Sequence, residues 1–176
     1  AYIALAGAGR FQEAIDVVRQ DNILPGICGR VCTHPCEEVC RRSELDEPIA
    51  IRDIKRFLAD YELSHPQDLK IMEVSRREEK IAVIGSGPAG LAAATDLARF
   101  GYQVTVFEKE ALAGGLLRYG IGPYRLPRDI LDYEIECIRK LGVQFKTSHF
   151  VALPGDVQKL KEDFDAIILT IGTWTD

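Results

Sequence analysis

The run KIAVIGSGPAGLAAATDLARFGYQVTVFE, from Lys80 to Glu108, admits few folds. A short apolar strand leads into Gly85, Gly87 and Gly90 at G-x-G-x-x-G spacing. A helix-period segment from Pro88 to Phe100 follows, and then a second apolar strand. The three glycines alone are a weak signal; a buried strand before them and a helix after them give the spacing its meaning. Gly85 permits a tight turn, Gly87 lets the backbone approach a pyrophosphate, and Gly90 lets helix and strand pack closely. Pro88 fits the first helical position, where its missing N–H costs nothing. Free N–H groups and the helix dipole then favour a phosphate at that end.

Glu108 closes the second strand roughly 20 residues beyond the first glycine, where a carboxylate accepts hydrogen bonds from an adenosine ribose and repels a 2′-phosphate. The pocket therefore suits FAD or NAD and not NADP. A Rossmann-like sheet that binds nothing is the competing reading, and spacing, context and acid together stand against it. The later pair Gly114–Gly115 tips the choice between cofactors. A GSGPAG turn, an acid and then GG resembles the FAD half of two-dinucleotide-binding flavoproteins, which implies FAD.

The rest of the chain divides by pattern. Residues 1–62 read as helices around a cysteine loop: Phe11, Ala14, Ile15 and Val18 share one helical face, and Ile51, Ile54, Phe57, Leu58 and Tyr61 another. Pro25, Gly26, Gly29 and Pro35 break any continuous helix across the cysteines. Residues 63–79 form a polar, charge-dense linker. Residues 80–176 alternate strand and helix, with an amphipathic helix over RDILDYEIECIRKLG and strands in VQFKTSHF and FDAIILTIG. That order predicts an α/β fold, a Rossmann-like, doubly wound parallel sheet preceded by a small α-helical domain. The net charge of −5 offers no basic field for nucleic acid. No apolar run approaches the roughly 20 residues of a membrane-spanning helix, and no signal peptide is visible. The expected compartment is the cytoplasm. The only methionine is Met72, so the chain reads as a piece of something longer.

Four of the five cysteines, Cys28, Cys32, Cys36 and Cys40, crowd into CGRVCTHPCEEVC. Without a secretory signal, such a cluster points to metal chemistry rather than disulfides. The four-residue spacing matches neither paired C-x-x-C zinc sites nor the ferredoxin run. Iron–sulfur ligation, zinc with help from His34, and four buried unligated thiols all remain open on spacing alone.

ILPGICGRVCTHPCEEVCRR, PIAIRDIKRFLADY, GSGPAGLAAATDLARFGYQVTVFEK and GGLLRYGIGPYRLPRDILDYEIE together resemble the small (beta) subunit of glutamate synthase and the N-terminal part of dihydropyrimidine dehydrogenase. The resemblance implies FAD, two [4Fe–4S] clusters and NAD(P)H as donor, with electrons passing to a larger partner subunit or domain. It implies that Gly85, Ser86, Gly87, Pro88, Ala89 and Gly90 line the FAD pyrophosphate. Glu108 and Lys109 would meet the adenosine, Gly115 and Leu116 the centre of FAD, and Val151 the adenine through its backbone. Arg125 of YRLP would hold a phosphate or order its loop. Cys32, Cys36 and Cys40 match cluster ligands divided between two clusters, and Cys28 matches a cysteine that is not always a ligand. Cys137 reads as core. The family's further cysteine segment and its NAD(P)H-binding unit have no counterpart here, so cluster sites in this chain are expected to be incomplete and the chain alone inactive. A non-catalytic FAD- or zinc-binding interaction module is the alternative.

Overall fold

Helix α1 (Tyr2–Gly7) and helix α2 (Phe11–Asp21) bring Ala14, Ile15 and Val18 onto one buried stripe. Leu58 of α5 (Ile51–Ser64) completes that core, with Tyr2, Leu5, Ala6, Phe11 and Ile54 packed around it. Phe57 belongs to the expected apolar face, yet it is half exposed, its ring set edge-on to Phe11 at 5.0 Å. Glu62 takes the inward place instead: it is fully buried, with its carboxylate on the Arg19 guanidinium, whose Nε lies 2.8 Å from Oε1.

The cysteine segment is more helical than the sequence reading expects. Pro25 starts α3 (Pro25–Val31), and Gly26, Cys28 and Gly29 lie inside it rather than interrupting it. Gly29 is required by proximity: a Cβ there would stand 2.7 Å from the Cα of Arg56. The absence of a side chain thus lets α3 lie directly against α5, and Arg30 ties the pair by donating to Asp60 at 2.6 Å. The helical path does break at Cys32, and Pro35 opens the single turn α4 (Pro35–Glu38), followed by a 3-10 turn at Arg41–Glu44.

The structure is a computed structural model that describes residues 1–66, 74–152 and 154–173. Met72 and the middle of the expected linker lie outside them, and α5 runs on through Ser64. The chain forms two compact units, Ala1–Lys70 with Tyr124–Ile130, and Ile71–Pro123 with Leu131–Asp176.

In the second unit β1 (Lys80–Ile84), β2 (Gln103–Phe107), β3 (Gln144–Lys146) and β4 (Ala166–Leu169) form a sheet in the order β3-β2-β1-β4. Every pairing is parallel, with Ile84 opposite Phe107 on one side and Leu169 on the other. Ile81, Ala82, Val83 and Ile84 are all buried, as expected of a central parallel strand covered on both faces. Ala82 and Ile84 pack with Phe107, Val151 and the α9 (Gly155–Asp163) residues Val157 and Leu160. Helix α6 (Pro88–Arg99) packs on β1 and β2 through Leu91, Ala94 and Ala98. Helix α8 (Arg128–Lys140) buries Ile130, Leu131, Ile135 and Ile138 at helical spacing, with Cys137 half buried beside them. The strand expected in VQFKTSHF is only three residues long, because the chain turns away at Ser148, a non-glycine residue with φ +52°.

Two substitutions test these packing claims. Glu62→Ala leaves the Arg19 charge buried without its partner, and should destabilise the helical unit by about 3–5 kcal/mol in urea unfolding followed by far-ultraviolet circular dichroism. Gly90→Ala places a Cβ 2.0 Å from the Gly85 carbonyl oxygen, and should cost the sheet unit about 1–3 kcal/mol. Wild-type unfolding midpoints for either variant would contradict the corresponding contact.

Candidate dinucleotide cradle and cysteine segment

The cradle forms where β1 ends. Chain connections leave β1 toward β2 on one side, while β4 returns on the other, so the carboxyl end of β1 is a topological switch point. Gly85 hydrogen-bonds both neighbours: its N–H donates to Phe107 O at 2.8 Å, and its carbonyl accepts from Thr170 Oγ1 at 3.0 Å. It has φ +101°, and a Cβ would lie 2.4 Å from Thr170 O, so both the turn and the neighbouring strand demand glycine. Gly90 sits one helical turn on, its Cα facing the Gly85 carbonyl.

Gly87 behaves differently. A Cβ built on it meets no atom within 4 Å, so the absence of a side chain serves open space rather than protein packing. Gly87 is also the N-cap of α6 and offers that helix no side-chain cap, with Pro88 at its first position. Pro88 and Ala89 are exposed. The open space therefore faces an uncapped helix start, where orphan N–H groups and the positive end of the dipole favour an anion.

Ser86 and Glu108 are the least accessible polar residues of the cradle, at 0% and 5% exposure. The Ser86 N–H donates to Glu108 Oε2 at 3.0 Å, and its hydroxyl donates to the same oxygen. Glu110 N–H donates to Oε1 at 2.9 Å. Glu108 thus stands at the expected strand end, but most of its acceptor capacity is used inside the protein. The sequence places the acid but not these partners, which come from the turn and from the residue two positions on.

The Gly114–Gly115 excursion returns to the turn. Gly114 N–H donates to Ser86 Oγ at 2.9 Å. Gly115 has φ +50°, and a Cβ there would lie 2.8 Å from Gly87 Cα. Arg118 fixes the loop from behind, where sequence reasoning had singled out nothing: it is buried, donates from Nε to Ala113 O at 2.6 Å, and pairs with Asp132. A buried arginine three residues after a glycine pair, in the single turn α7 (Leu116–Tyr119), carries no pattern by which to find it.

The remaining expected residues scatter. Lys109 is exposed beside Glu110, Leu116 is about half exposed, and Val151 is buried in the core cluster of β1 and α9. Arg125 is exposed and belongs, with Tyr124–Ile130, to the other compact unit.

In the helical unit Cys28 and Cys40 are partly buried, and Cys32 and Cys36 are exposed. Among the described residues, no group of three or more His, Cys, Asp or Glu side chains is arranged to hold a metal ion. The reading of four buried thiols does not hold for Cys32 and Cys36, which are exposed. Cys32 Sγ accepts the His34 N–H at 3.3 Å, and His34 adopts the left-handed conformation that aims it there, with φ 52°. Arg52 Nη1 lies 3.1 Å from His34 Nδ1; an arginine only donates, so that ring nitrogen accepts and is not free for zinc. Backbone N–H groups of Ile49, Arg42 and Ser43, with the Arg42 charge, hold the Cys40 thiol below its usual pKa. A thiolate surrounded by amide donors is the form that ligates metals.

Residues 1–67 match the family described as dihydropyrimidine dehydrogenase domain II, 4Fe-4S cluster, and residues 83–152 match the NAD(P)-binding Rossmann-like domain. The chain is 42% identical to the NADP(+)-dependent formate dehydrogenase subunit beta of Moorella thermoacetica, over 98% of this chain and 27% of that protein. It is 38% identical to the NAD-dependent dihydropyrimidine dehydrogenase subunit PreT of Escherichia coli strain K12, over 92% of this chain and 40% of that protein. Against the glutamate synthase [NADPH] small chain of Bacillus subtilis the identity is 37%, over 93% of this chain and 33% of that one. The chain thus spans between about a quarter and two fifths of the length of these relatives. Two consecutive domain matches and near-complete coverage of this chain by these proteins place it in the family of the glutamate synthase small chain and dihydropyrimidine dehydrogenase subunit PreT.

Proposed function

We propose that this chain is the FAD-binding and iron–sulfur-binding part of an NAD(P)H-dependent electron-transfer oxidoreductase, working with a larger electron-accepting subunit. The names of the relatives, beta subunits and small chains of NAD(P)-dependent enzymes, support the donor and the partner. The observation that carries the choice of FAD is the return of Gly115 onto Gly87. A second glycine loop beside the first borders the path a pyrophosphate would take, which a simple nicotinamide site does not need.

Bound FAD would supply the conversion of a two-electron hydride into single-electron transfers. The chain's own residues do the holding. The turn from Gly85 to Gly90 and the start of α6 would receive the pyrophosphate on backbone N–H groups. Glu108 would accept a ribose hydroxyl with the capacity left after Ser86 and Glu110, and its charge would exclude a 2′-phosphate. Lys109 would meet the adenosine, Leu116 the centre of FAD and the Val151 backbone the adenine, as the family resemblance implies.

Cys32, Cys36 and Cys40 are the proposed cluster ligands, with Cys28 a weaker candidate. The amide donors on Cys32 and Cys40 fit thiolate ligands, whereas the four thiols do not form a closed site among themselves. Clusters held here would therefore need further donors. A non-catalytic FAD- or zinc-binding interaction module is the competing reading.

Absorption of the purified protein separates the two, with iron–sulfur bands beside those of flavin expected for the first and no iron–sulfur bands for the second. Denaturation should release FAD; released NAD, or one tightly held zinc without iron, would overturn the assignment. Gly87→Ala isolates the cradle from the fold. Its Cβ meets no protein atom, so stability should change by no more than about 1 kcal/mol. FAD affinity should nevertheless fall more than roughly tenfold, since the methyl occupies the space of the pyrophosphate. Unchanged affinity in fluorescence-quenching titrations would contradict this.

A further inference from the structure

Ser86 occupies a position expected to touch the ligand, but its side chain is entirely buried, with 0% exposure. Its hydroxyl can have no direct contact with a bound molecule. Both functions of that hydroxyl are already committed: it donates to Glu108 Oε2 and accepts the Gly114 N–H at 2.9 Å. The Ser86 backbone N–H adds a second donor to the same carboxylate oxygen, at 3.0 Å.

We infer that Ser86 is a positioning residue: its hydroxyl sets the plane of the Glu108 carboxylate and couples it to the Gly114–Gly115 loop, so that the ribose and the pyrophosphate are recognised as one unit. This rests on the dinucleotide reading above. The terminal torsion of a glutamate is broad and roughly two-fold, so an unrestrained carboxylate does not present a fixed lone pair. Here Ser86 holds Oε2 and the Glu110 N–H holds Oε1 at 2.9 Å. An ionised carboxylate has about four acceptor sites. Three of them are filled, and the plane that these three define orients the fourth. Without the hydroxyl, Oε2 loses a donor and the buried Gly114 N–H loses its acceptor, so acid and loop are released together.

Isothermal titration with ADP and with 2′-deoxy-ADP tests this on the full chain, because only the first offers the ribose 2′-hydroxyl to the Glu108 carboxylate. Wild-type protein should prefer ADP. In Ser86→Ala, ADP affinity should fall roughly tenfold, equivalent to about 1.4 kcal/mol, while 2′-deoxy-ADP, which senses the released loop but not the ribose contact, should lose a clearly smaller part of its affinity. The preference between the two ligands then collapses. Should Ser86→Ala fail to fold, Ser86→Cys, close in size with a weak S–H donor, carries the same comparison, and its preference should be reduced. Equal losses for both ligands would mean that Ser86 only supports the fold, and no loss would mean that the hydroxyl is idle; either overturns the inference. A wild-type protein that binds both ligands equally would overturn the Glu108 arrangement and leave the dinucleotide reading standing. Binding of neither would overturn that reading and the inference with it.

Discussion

The sheet unit is organised around a contact that only glycine permits. The backbone of Gly90 lies so close to the Gly85 carbonyl that a Cβ would be 2.0 Å from the oxygen. That approach bends the chain from β1 into α6 and points the helix start at the carboxyl end of the sheet. Gly85 is constrained from the other side as well, by Thr170 beyond β4. Once the turn is set, Ser86 is forced inward onto Glu108, and the Cβ direction of Gly87 is left open. Packing and ligand space are therefore assigned to alternate residues of the same turn.

The loop after β2 depends on this arrangement. Gly114 has its amide on the Ser86 hydroxyl, Gly115 lies against Gly87, and Arg118 braces Ala113 from the opposite direction. Acid, first glycine turn and second glycine loop thus share one buried serine. The helical unit solves a separate problem by related means. Gly29 lets α3 lie against α5, and the Arg19–Glu62 pair fixes α2 to α5 across a small apolar core. Small cores carry little stability, which makes such a buried pair costly to break from one side.

Much of the sheet unit was legible because its signals are local. The apolar run at Ile81–Ile84, the glycine spacing and the helical period of Ile130, Leu131, Ile135 and Ile138 each sit within a few residues. What was not legible depends on partners distant in sequence. Glu62 reads as a polar-face residue until Arg19 is known to lie opposite it. Gly29 reads as a helix breaker until the proximity of Arg56 explains it as a packing residue. Glu108 reads as an open acceptor until Ser86 and Glu110 are seen to occupy it. Helix α9 has a weak sequence signal because only Val157 and Leu160 of its nine residues pack against the core. The cysteine segment was legible as chemistry and not as geometry, since spacing does not reveal where thiols point.

Amide hydrogen exchange with and without added FAD tests the central claim most directly, because it reads the cradle at backbone resolution. Binding should slow exchange in two separate stretches together, residues 85–91 and residues 113–116, with no comparable change in α3 or α5. Protection of the first stretch without the second, or of neither, would contradict the account of two glycine loops closing on one dinucleotide.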